Sequence, residues 1–432
     1  MSSFICIVLA IIQFVVITTI CVLELRRKSC AVFLWSTLLL MFGIMHFYSA
    51  FSRKIIYSES VLNQASLFVI LFCGLYLITR LSLSKLSTRM NDTFSYGKIA
   101  EEQTIDTGFL LFVFVAATVL MSWNIIRYSG GLLNTSWASG RAYASTLDYV
   151  NSNQLYKILF FSLSGLSLYY WIRKKRKLSI TVLGLILFLE IATRNRIYVL
   201  PFILFFLSIV VYKIKNLRLK HIVIAVVGAI IIIYIIYGLR VFRHYGSIQD
   251  FISSFDLSEF TDRIMTYIET DNGELGLRTK FYYFIQNNNR FPGFGSGAGY
   301  IRILLVYIPT NFSLGLKPDD FAQTMGAAIG MVEGGSTHPT LFGDCYANLG
   351  WAGVLLGVFW AFICSVADAL ILMFRSYPYR ICAFVLVSTC LVIIGRGSAY
   401  NAFHIMAWGI PILFLFQYVH RKTRRIRIVI KK

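Results

Sequence analysis

Long apolar runs follow one another along almost the whole chain. Each run covers roughly 17 to 23 residues, which as an α-helix is enough to cross the hydrocarbon layer of a bilayer. The runs predict an all-α polytopic membrane protein. Its transmembrane helices, about eleven in number, are expected at residues 4–23, 31–50, 62–79, 108–126, 154–172, 178–193, 197–212, 221–238, 350–373, 381–395 and 403–420.

The composition is typical of a protein in a bilayer. Of the 432 residues, 57% are hydrophobic and 14% are charged, whereas a soluble domain carries about 25% charged residues. The first apolar run begins directly after Met1-Ser2-Ser3, without a basic segment before it or a small-residue cleavage pattern after it. We therefore expect this run to remain as the first transmembrane helix.

The net charge of +21 is explained by topology. An odd number of spans puts the two termini on opposite sides of the membrane, and most Lys and Arg residues then fall on the side of the C-terminus. The main groups are 26–28, 80–98, 173–177, 213–220, 375–380 and 421–432. The positive-inside rule places these segments in the cytoplasm and the N-terminus outside. The basic runs are expected to anchor lipid head groups rather than to bind nucleic acid.

Three regions follow from this topology. Residues 1–238 carry the first eight helices and a smaller outer loop at about 127–153, residues 239–349 form a large, partly helical outer loop, and residues 350–432 carry the last three helices and a basic cytoplasmic tail. Long loops of this kind are usually functional. The stretch 300–310 within the large loop is too short to span, and two placements stay open for it: in the membrane interface or re-entering the membrane.

The strongest local feature is the string from Gly334 to Gly353, which leads from the large loop into the ninth span. His338 in this string is a candidate general base, because the pKa of histidine lies close to working pH. Its structural alternative is a histidine that bridges loop backbone. Asp344, six residues later, is the preferred carboxylate, although nothing in the spacing of the neighbouring acidic residues Asp319, Asp320 and Glu333 selects a pair.

Five arginines meet the outer membrane face, which the positive-inside rule makes unfavourable for them. They are Arg194, Arg196, Arg240, Arg243 and Arg396. Guanidinium groups form forked, charge-assisted hydrogen bonds to phosphate, so a pyrophosphate head group is one physical reason for this placement. Pairing with a nearby carboxylate and snorkelling of single side chains are the alternatives.

Further basic residues in the large loop alternate with tyrosine and phenylalanine; they are Arg278, Lys280, Arg290, Arg302 and Lys317. Aromatic faces stack on sugar rings, so this stretch suits a glycan groove, and it suits an ordinary folded loop equally well. The sequence carries no Walker loop, no HExxH pattern and no CxxC pair. We therefore expect neither a metal nor a cofactor.

Together these features resemble the Wzy-type oligosaccharide repeat-unit polymerases. The residues that carry the resemblance are Arg194-Asn-Arg196, Tyr307-Ile-Pro309, Leu316-Lys-Pro318 and the string from His338 to Gly353. The family commonly has Glu where this chain has Asp344. The resemblance implies a glycosyltransferase in the bacterial cytoplasmic membrane that builds O-antigen or a related surface polysaccharide. It would move the growing glycan from undecaprenyl pyrophosphate onto the next lipid-linked repeat unit, with a chain-length regulator protein as a possible partner.

On this hypothesis Arg194, Arg196, Arg240 and Arg243 stabilise the departing pyrophosphate, and His338 orients or deprotonates the acceptor hydroxyl. Two alternatives stay open: a ligase that attaches finished glycan to an acceptor, and a non-enzymatic flippase or transporter. Transporters place ionisable residues at the bilayer midplane. The predicted spans contain only two acidic residues, Glu190 and Asp368, which favours surface chemistry.

Overall fold

The computed structural model describes residues 2–52, 57–83, 106–129, 147–193, 197–213, 248–269, 275–287, 293–330, 337–397 and 399–430, together with the single positions 228, 234, 237, 238 and 241. Within these residues the chain is helical and contains no β-strand. The all-α prediction is therefore confirmed for this part of the chain.

Eighteen α-helices run through the described ranges in chain order. They are α1 (Ser2–Arg27), α2 (Ala31–Leu38), α3 (Met45–Ser52), α4 (Glu59–Ser82), α5 (Gly108–Ser129), α6 (Leu147–Leu163), α7 (Leu166–Ile172), α8 (Arg176–Thr193), α9 (Leu200–Lys213), α10 (Ile248–Ser253), α11 (Leu257–Glu269), α12 (Arg278–Gln286), α13 (Ala298–Leu304), α14 (Phe321–Ala328), α15 (Thr340–Leu349), α16 (Leu356–Met373), α17 (Tyr377–Gly395) and α18 (Ala399–Ile430).

Among the residues that the structure describes, seven helical stretches are long and apolar enough to cross a membrane, and each overlaps one predicted span. They are Phe4–Arg27, Ala31–Phe51, Glu59–Ser82, Asn153–Ile172, Thr340–Met373, Tyr377–Gly395 and Ala399–Lys422. Shorter apolar helices lie at Gly108–Asn124 and Leu200–Val211. The eighth predicted span, 221–238, lies almost entirely outside the described residues. The chain is therefore a helical membrane protein, and the count of eleven spans stays a prediction.

The chain divides into two compact units. The first unit contains residues 1–91, 268–369 and 390–404, and the second contains residues 92–267, 370–389 and 405–432. In the first unit α1 packs against α4, and α12 packs against both α4 and α15. The ring of Phe281 on α12 lies 5.5 Å from those of Phe68 and Tyr346, so aromatic side chains fill this core.

The second unit holds close helix contacts of its own. A Cβ atom at Gly165, before α7, would lie 2.6 Å from the Cα atom of Cys382 on α17, and one at Gly409 on α18 would lie 2.6 Å from the hydroxyl of Ser162. Small residues allow helices to approach each other closely in lipid, where van der Waals packing, rather than the hydrophobic effect, drives helix association. The rings of Phe374 and Phe414 stack at 4.1 Å in the same unit.

Two helices extend further than the sequence predicts, and each extension contains a buried charged residue. The third span was expected to end at residue 79, but α4 continues to Ser82, so Arg80 is part of the helix and is 1% exposed. The prediction that Arg80 belongs to an inner loop is therefore wrong. Similarly, α1 continues to Arg27 and includes Glu24, which is also 1% exposed.

Candidate functional site

The segment that carries His338 is joined to the turn that carries Arg396. The backbone N–H of Thr340 donates to the carbonyl of Arg396 over 3.1 Å. Thr340 has a φ of 69°, which is uncommon for a β-branched residue and costs free energy. Gly397 has a φ of 96°, and a Cβ atom there would lie 2.5 Å from the nitrogen of Thr340. The segment after His338 and the turn at Arg396, which are distant in sequence, are thus joined through their backbones.

A small pocket lies beside this junction, and we call it the Asp344 pocket. Its volume is about 20 Å³, the room of roughly one water molecule. The lining residues are Gly299, Arg302, Ile303, Asp320, Phe321, Ala322, Asp344, Gly397, Ala399, Tyr400 and Asn401. They come from α13, α14, α15 and the start of α18, so four separate parts of the first unit build the pocket.

Asp344 lies on the second turn of α15 and is 7% exposed. Helix α13 is held against α15 next to it, because Asn348 accepts from the backbone N–H of Gly299 over 2.8 Å. The Tyr300 hydroxyl accepts from the indole N–H of Trp360 over 3.1 Å. Burial, followed by the nearby Cys345 and Asp344, raises the pKa of Tyr300 well above its ordinary value. The Tyr300 hydroxyl therefore keeps its proton beside the carboxylate.

Two cations meet on the ring of Tyr400. The guanidinium of Arg302 lies 4.5 Å from the ring centroid and donates to the carbonyl of Pro318, while its Nε atom is buried and has no hydrogen-bond partner among the described residues. The ammonium of Lys317 lies 5.5 Å from the same centroid and donates to the carbonyl of Ile308 over 2.7 Å. Neither cation pairs with a carboxylate within the described part of the chain.

A second carboxylate faces the pocket. Asp320 caps α14, and its side chain accepts from the backbone N–H of Ala322 over 3.1 Å. The pocket therefore holds two carboxylates and one guanidinium, with Lys317 on the same aromatic ring. Such a set offers donors to an anion and a proton acceptor to a hydroxyl.

The structure brings only some of the predicted site residues close to the pocket. Asp344 lines the pocket, and Arg396 directly precedes the lining residue Gly397. The half-buried His338 lies two residues before Thr340. Arg278 on α12 is 1% exposed and donates to the Ser49 hydroxyl over 2.9 Å, away from the pocket lining. Lys280 is half-buried on the same helix. The other predicted residues, Arg194, Arg196, Arg240, Arg243 and Arg290, lie outside the described residues.

Arg302, Lys317 and Tyr400 were not selected as site residues from the sequence. Arg302 and Lys317 belong to a basic and aromatic stretch that suits an ordinary loop equally well, and Tyr400 is far from both in sequence. One signal was present: the two cations enclose a stretch without any charged residue. The fold alone shows that the cations at the two ends of this stretch, Arg302 and Lys317, both lie against the ring of Tyr400.

A separate buried network joins three helices of the first unit. Arg80 on α4 binds Glu24 on α1 through Nε and Nη2 at 2.8 and 2.9 Å, and Asp368 on α16 through Nη2 at 2.5 Å. Its Nη1 donates to the Ser365 hydroxyl over 2.7 Å. All three charges lie inside candidate membrane spans, so the expectation that only Glu190 and Asp368 do so is wrong.

In the described ranges, no group of three or more His, Cys, Asp or Glu side chains is arranged to hold a metal ion. Comparisons with protein-family models, with curated proteins and with solved structures find no match to this chain.

Proposed function

We propose that this protein is a membrane glycosyltransferase that polymerises lipid-linked oligosaccharide repeat units. The donor would be a glycan on a polyprenyl pyrophosphate, and the reaction would take place at the outer face of the bacterial cytoplasmic membrane. One observation carries the proposal: a buried carboxylate, Asp344, shares a pocket with Arg302, and Lys317 lies behind the same ring, at the start of a membrane-spanning helical stretch. The resemblance of the His338 string to the Wzy-type polymerases supports it.

The chemistry of this transfer matches the groups in the pocket. The acceptor hydroxyl oxygen forms a bond to the anomeric carbon of the donor sugar, and the bond from that carbon to the pyrophosphate oxygen breaks. The hydroxyl proton passes to Asp344 or His338. The charge left on the pyrophosphate is stabilised by Arg302 and Lys317, because fixed cations in a water-poor site interact strongly with developing charge.

Most of the predicted basic residues keep their roles in this proposal. Arg194, Arg196, Arg240 and Arg243 would add further contacts to the pyrophosphate, and Lys280 and Arg290 would border the glycan. Arg278 is buried and donates to Ser49, so the proposal gives it a structural role instead. Arg396 would act through the backbone as well, since its carbonyl holds Thr340 in place. No metal or cofactor is required, because the pyrophosphate is already a good leaving group.

The test is complementation of a host strain that lacks the gene, with the glycan ladder as the readout. We expect Asp344→Asn and Arg302→Gln to reduce the ladder to single repeat units. The control is Asp319→Asn, because Asp319 is exposed and does not line the pocket, and it should restore long chains. The amount of each variant in the membrane is measured in parallel. Long chains from Asp344→Asn, Arg302→Gln and His338→Ala alike would contradict the assignment.

The glycans of the same deletion strain distinguish a polymerase from a ligase. Loss of a polymerase leaves one repeat unit on the final acceptor, whereas loss of a ligase leaves long chains on the carrier lipid. We expect the first phenotype.

A transporter is the second candidate, because Glu24, Arg80 and Asp368 form a buried charged network inside the spans. Arg80 lies two residues before the end of α4, Glu24 three residues before the end of α1 and Asp368 five residues before the end of α16. At 1.5 Å per residue these charges lie within roughly 8 Å of the helix ends, not at the midplane where transporters bind their substrates. Purified protein that elongates lipid-linked units in detergent would establish an enzyme, whereas an inactive preparation with a correct fold would favour transport.

A further inference from the structure

One segment of the first unit exposes large apolar side chains to an unusual extent. We call residues 301–316 the apolar loop. It contains the end of α13, a turn at Pro309 and a 3₁₀ turn at Thr310–Phe312. Four of its side chains are more than 70% exposed: Leu304 at 78%, Phe312 at 78%, Leu314 at 93% and Leu316 at 72%. Apart from Arg302, which turns to Tyr400, the loop carries no charge. Water is an unfavourable solvent for such a surface.

Several backbone groups of the apolar loop are paired within the loop itself. The N–H of Leu305 donates to Ile301, that of Ile308 to Leu305, and that of Phe312 to Pro309. Toward the end of the loop, the N–H of Leu316 donates to Ser313, and the carbonyl of Ile308 also accepts from Lys317. Hydrocarbon tolerates polypeptide only where the backbone polar groups are paired. These bonds lower the free-energy cost of placing this part of the backbone in hydrocarbon.

The depth of the loop follows from its contact with a membrane-spanning helix. Tyr300, directly before the loop, receives a hydrogen bond from Trp360 on α16, and its ring lies 5.8 Å from that of Phe359. Counting about 20 residues back from the end of α16 at Met373, the length that crosses about 30 Å of hydrocarbon, reaches about residue 354. Trp360 is then about 9 Å inside the hydrocarbon layer. The Tyr300 hydroxyl lies at this depth, and α13 lies at the boundary of the layer.

We infer that the apolar loop inserts into one leaflet of the bilayer and that lipid acyl chains cover Leu304, Phe312, Leu314 and Leu316. The loop neither spans nor re-enters as a hairpin, since its two helical pieces are too short. Arg302, near the start of the loop, and Lys317, directly after its end, both turn back to Tyr400. The insertion therefore fixes the Asp344 pocket at the level of the lipid head groups. This inference needs only a membrane-embedded chain and does not depend on catalysis.

The test uses an added tryptophan as a depth probe. Leu314→Trp and Phe312→Trp are reconstituted in vesicles of phosphatidylcholine and phosphatidylglycerol, in which the phosphatidylcholine chains are either brominated or not. The emission of each variant is compared with that of the native protein, whose seven tryptophans give a common background. We expect the added emission to be shifted to the blue and largely quenched by the brominated chains. The matched control is Gln286→Trp, at an exposed polar position on α12, and it should be quenched by aqueous iodide instead.

Two results would overturn the inference. If iodide quenches the added emission of Leu314→Trp and brominated lipid does not, the loop lies in water. If neither agent quenches it, protein covers the loop, as in contact with a second copy. Because the readout is fluorescence, neither result bears on whether the pocket transfers a glycan.

Discussion

At the scale of the residue, Arg80 determines how charge is held inside the first unit. Its guanidinium binds both carboxylates of the network and the Ser365 hydroxyl, and Tyr76 donates to Glu24 over 3.0 Å. A buried ion pair is weak evidence for net stability, since the loss of hydration offsets much of the attraction. Removing one partner alone is different, because the charge that remains is then buried and uncompensated.

We therefore predict that Arg80→Met lowers the free energy of unfolding by about 3–5 kcal/mol, which is the usual cost of breaking a buried pair. Thermal melting of the detergent-solubilised protein measures it. The triple variant that also carries Glu24→Gln and Asp368→Asn should recover most of the loss. Arg263→Met is the control, because Arg263 pairs with Glu259 on an exposed face of α11, where such pairs contribute about 0.3–0.5 kcal/mol. Equal effects of Arg80→Met and Arg263→Met would show that the network is not a structural tie.

The sequence alone misplaced Arg80 for a physical reason. An arginine at the end of an apolar run fits the positive-inside pattern, and its carboxylate partners lie far away in the sequence, at positions 24 and 368. The pocket cations Arg302 and Lys317 were missed likewise, because their common partner Tyr400 lies on another helix. Asp344, which the sequence singled out through the local pattern of Gly and Pro around it, lines the pocket, and its catalytic role stays a prediction.

At the scale of the element, glycines determine how closely helices approach. A Cβ atom at Gly353 would lie 2.4 Å from the carbonyl oxygen of Cys345, and one at Gly357 on α16 would lie 2.5 Å from the carbonyl oxygen of Phe72 on α4. Close packing is therefore the structural role of both glycines. Backbone atoms, unlike flexible side chains, have little room to move aside.

Gly357→Ala is therefore predicted to destabilise the protein by about 1–3 kcal/mol, as overpacking in a core does. Gly74→Ala is the matched control, because Gly74 lies on α4 itself and nothing stands within 4 Å of its added Cβ atom. There the better helix propensity of alanine should raise stability by up to about 1 kcal/mol. Melting temperatures of the two variants in the same detergent should move in opposite directions. A shift of both in one direction would argue against the close approach of α16 to α4.

The helices themselves were largely predictable, whereas the loop between them was only partly so. Apolar runs locate the seven long helices because each must cover the hydrocarbon thickness along its own length. The stretch 334–353 was assigned to a loop leading into the ninth span, yet α15 already begins at Thr340. Its start depends on the bond from Thr340 to Arg396, a contact between distant residues that no local pattern contains.

At the scale of the whole molecule, the position of the pocket and the orientation of the chain are linked. The pocket lies where α15 and α18 begin, and α18 is one continuous helix from Ala399 to Ile430. At 1.5 Å per residue its length of 32 residues corresponds to about 48 Å, more than the roughly 30 Å of hydrocarbon. We therefore predict that the C-terminus and the pocket lie on opposite faces of the membrane. A cytoplasmic C-terminus would put the Asp344 pocket outside.

The positive-inside rule predicts that orientation, and the burial of Arg80 does not change it, because Lys85, Arg89 and Lys98 remain in the same predicted inner segment. A fluorescent protein that matures only in the cytoplasm should therefore emit when fused after Lys432, whereas alkaline phosphatase fused there should be inactive. An epitope tag before Met1 should be removed by protease added to spheroplasts. Active phosphatase at Lys432 would place the pocket in the cytoplasm and exclude polymerisation at the outer face. A protected N-terminal tag beside a fluorescent C-terminus would instead give an even number of spans, and the count of eleven would be wrong while the pocket stayed outside.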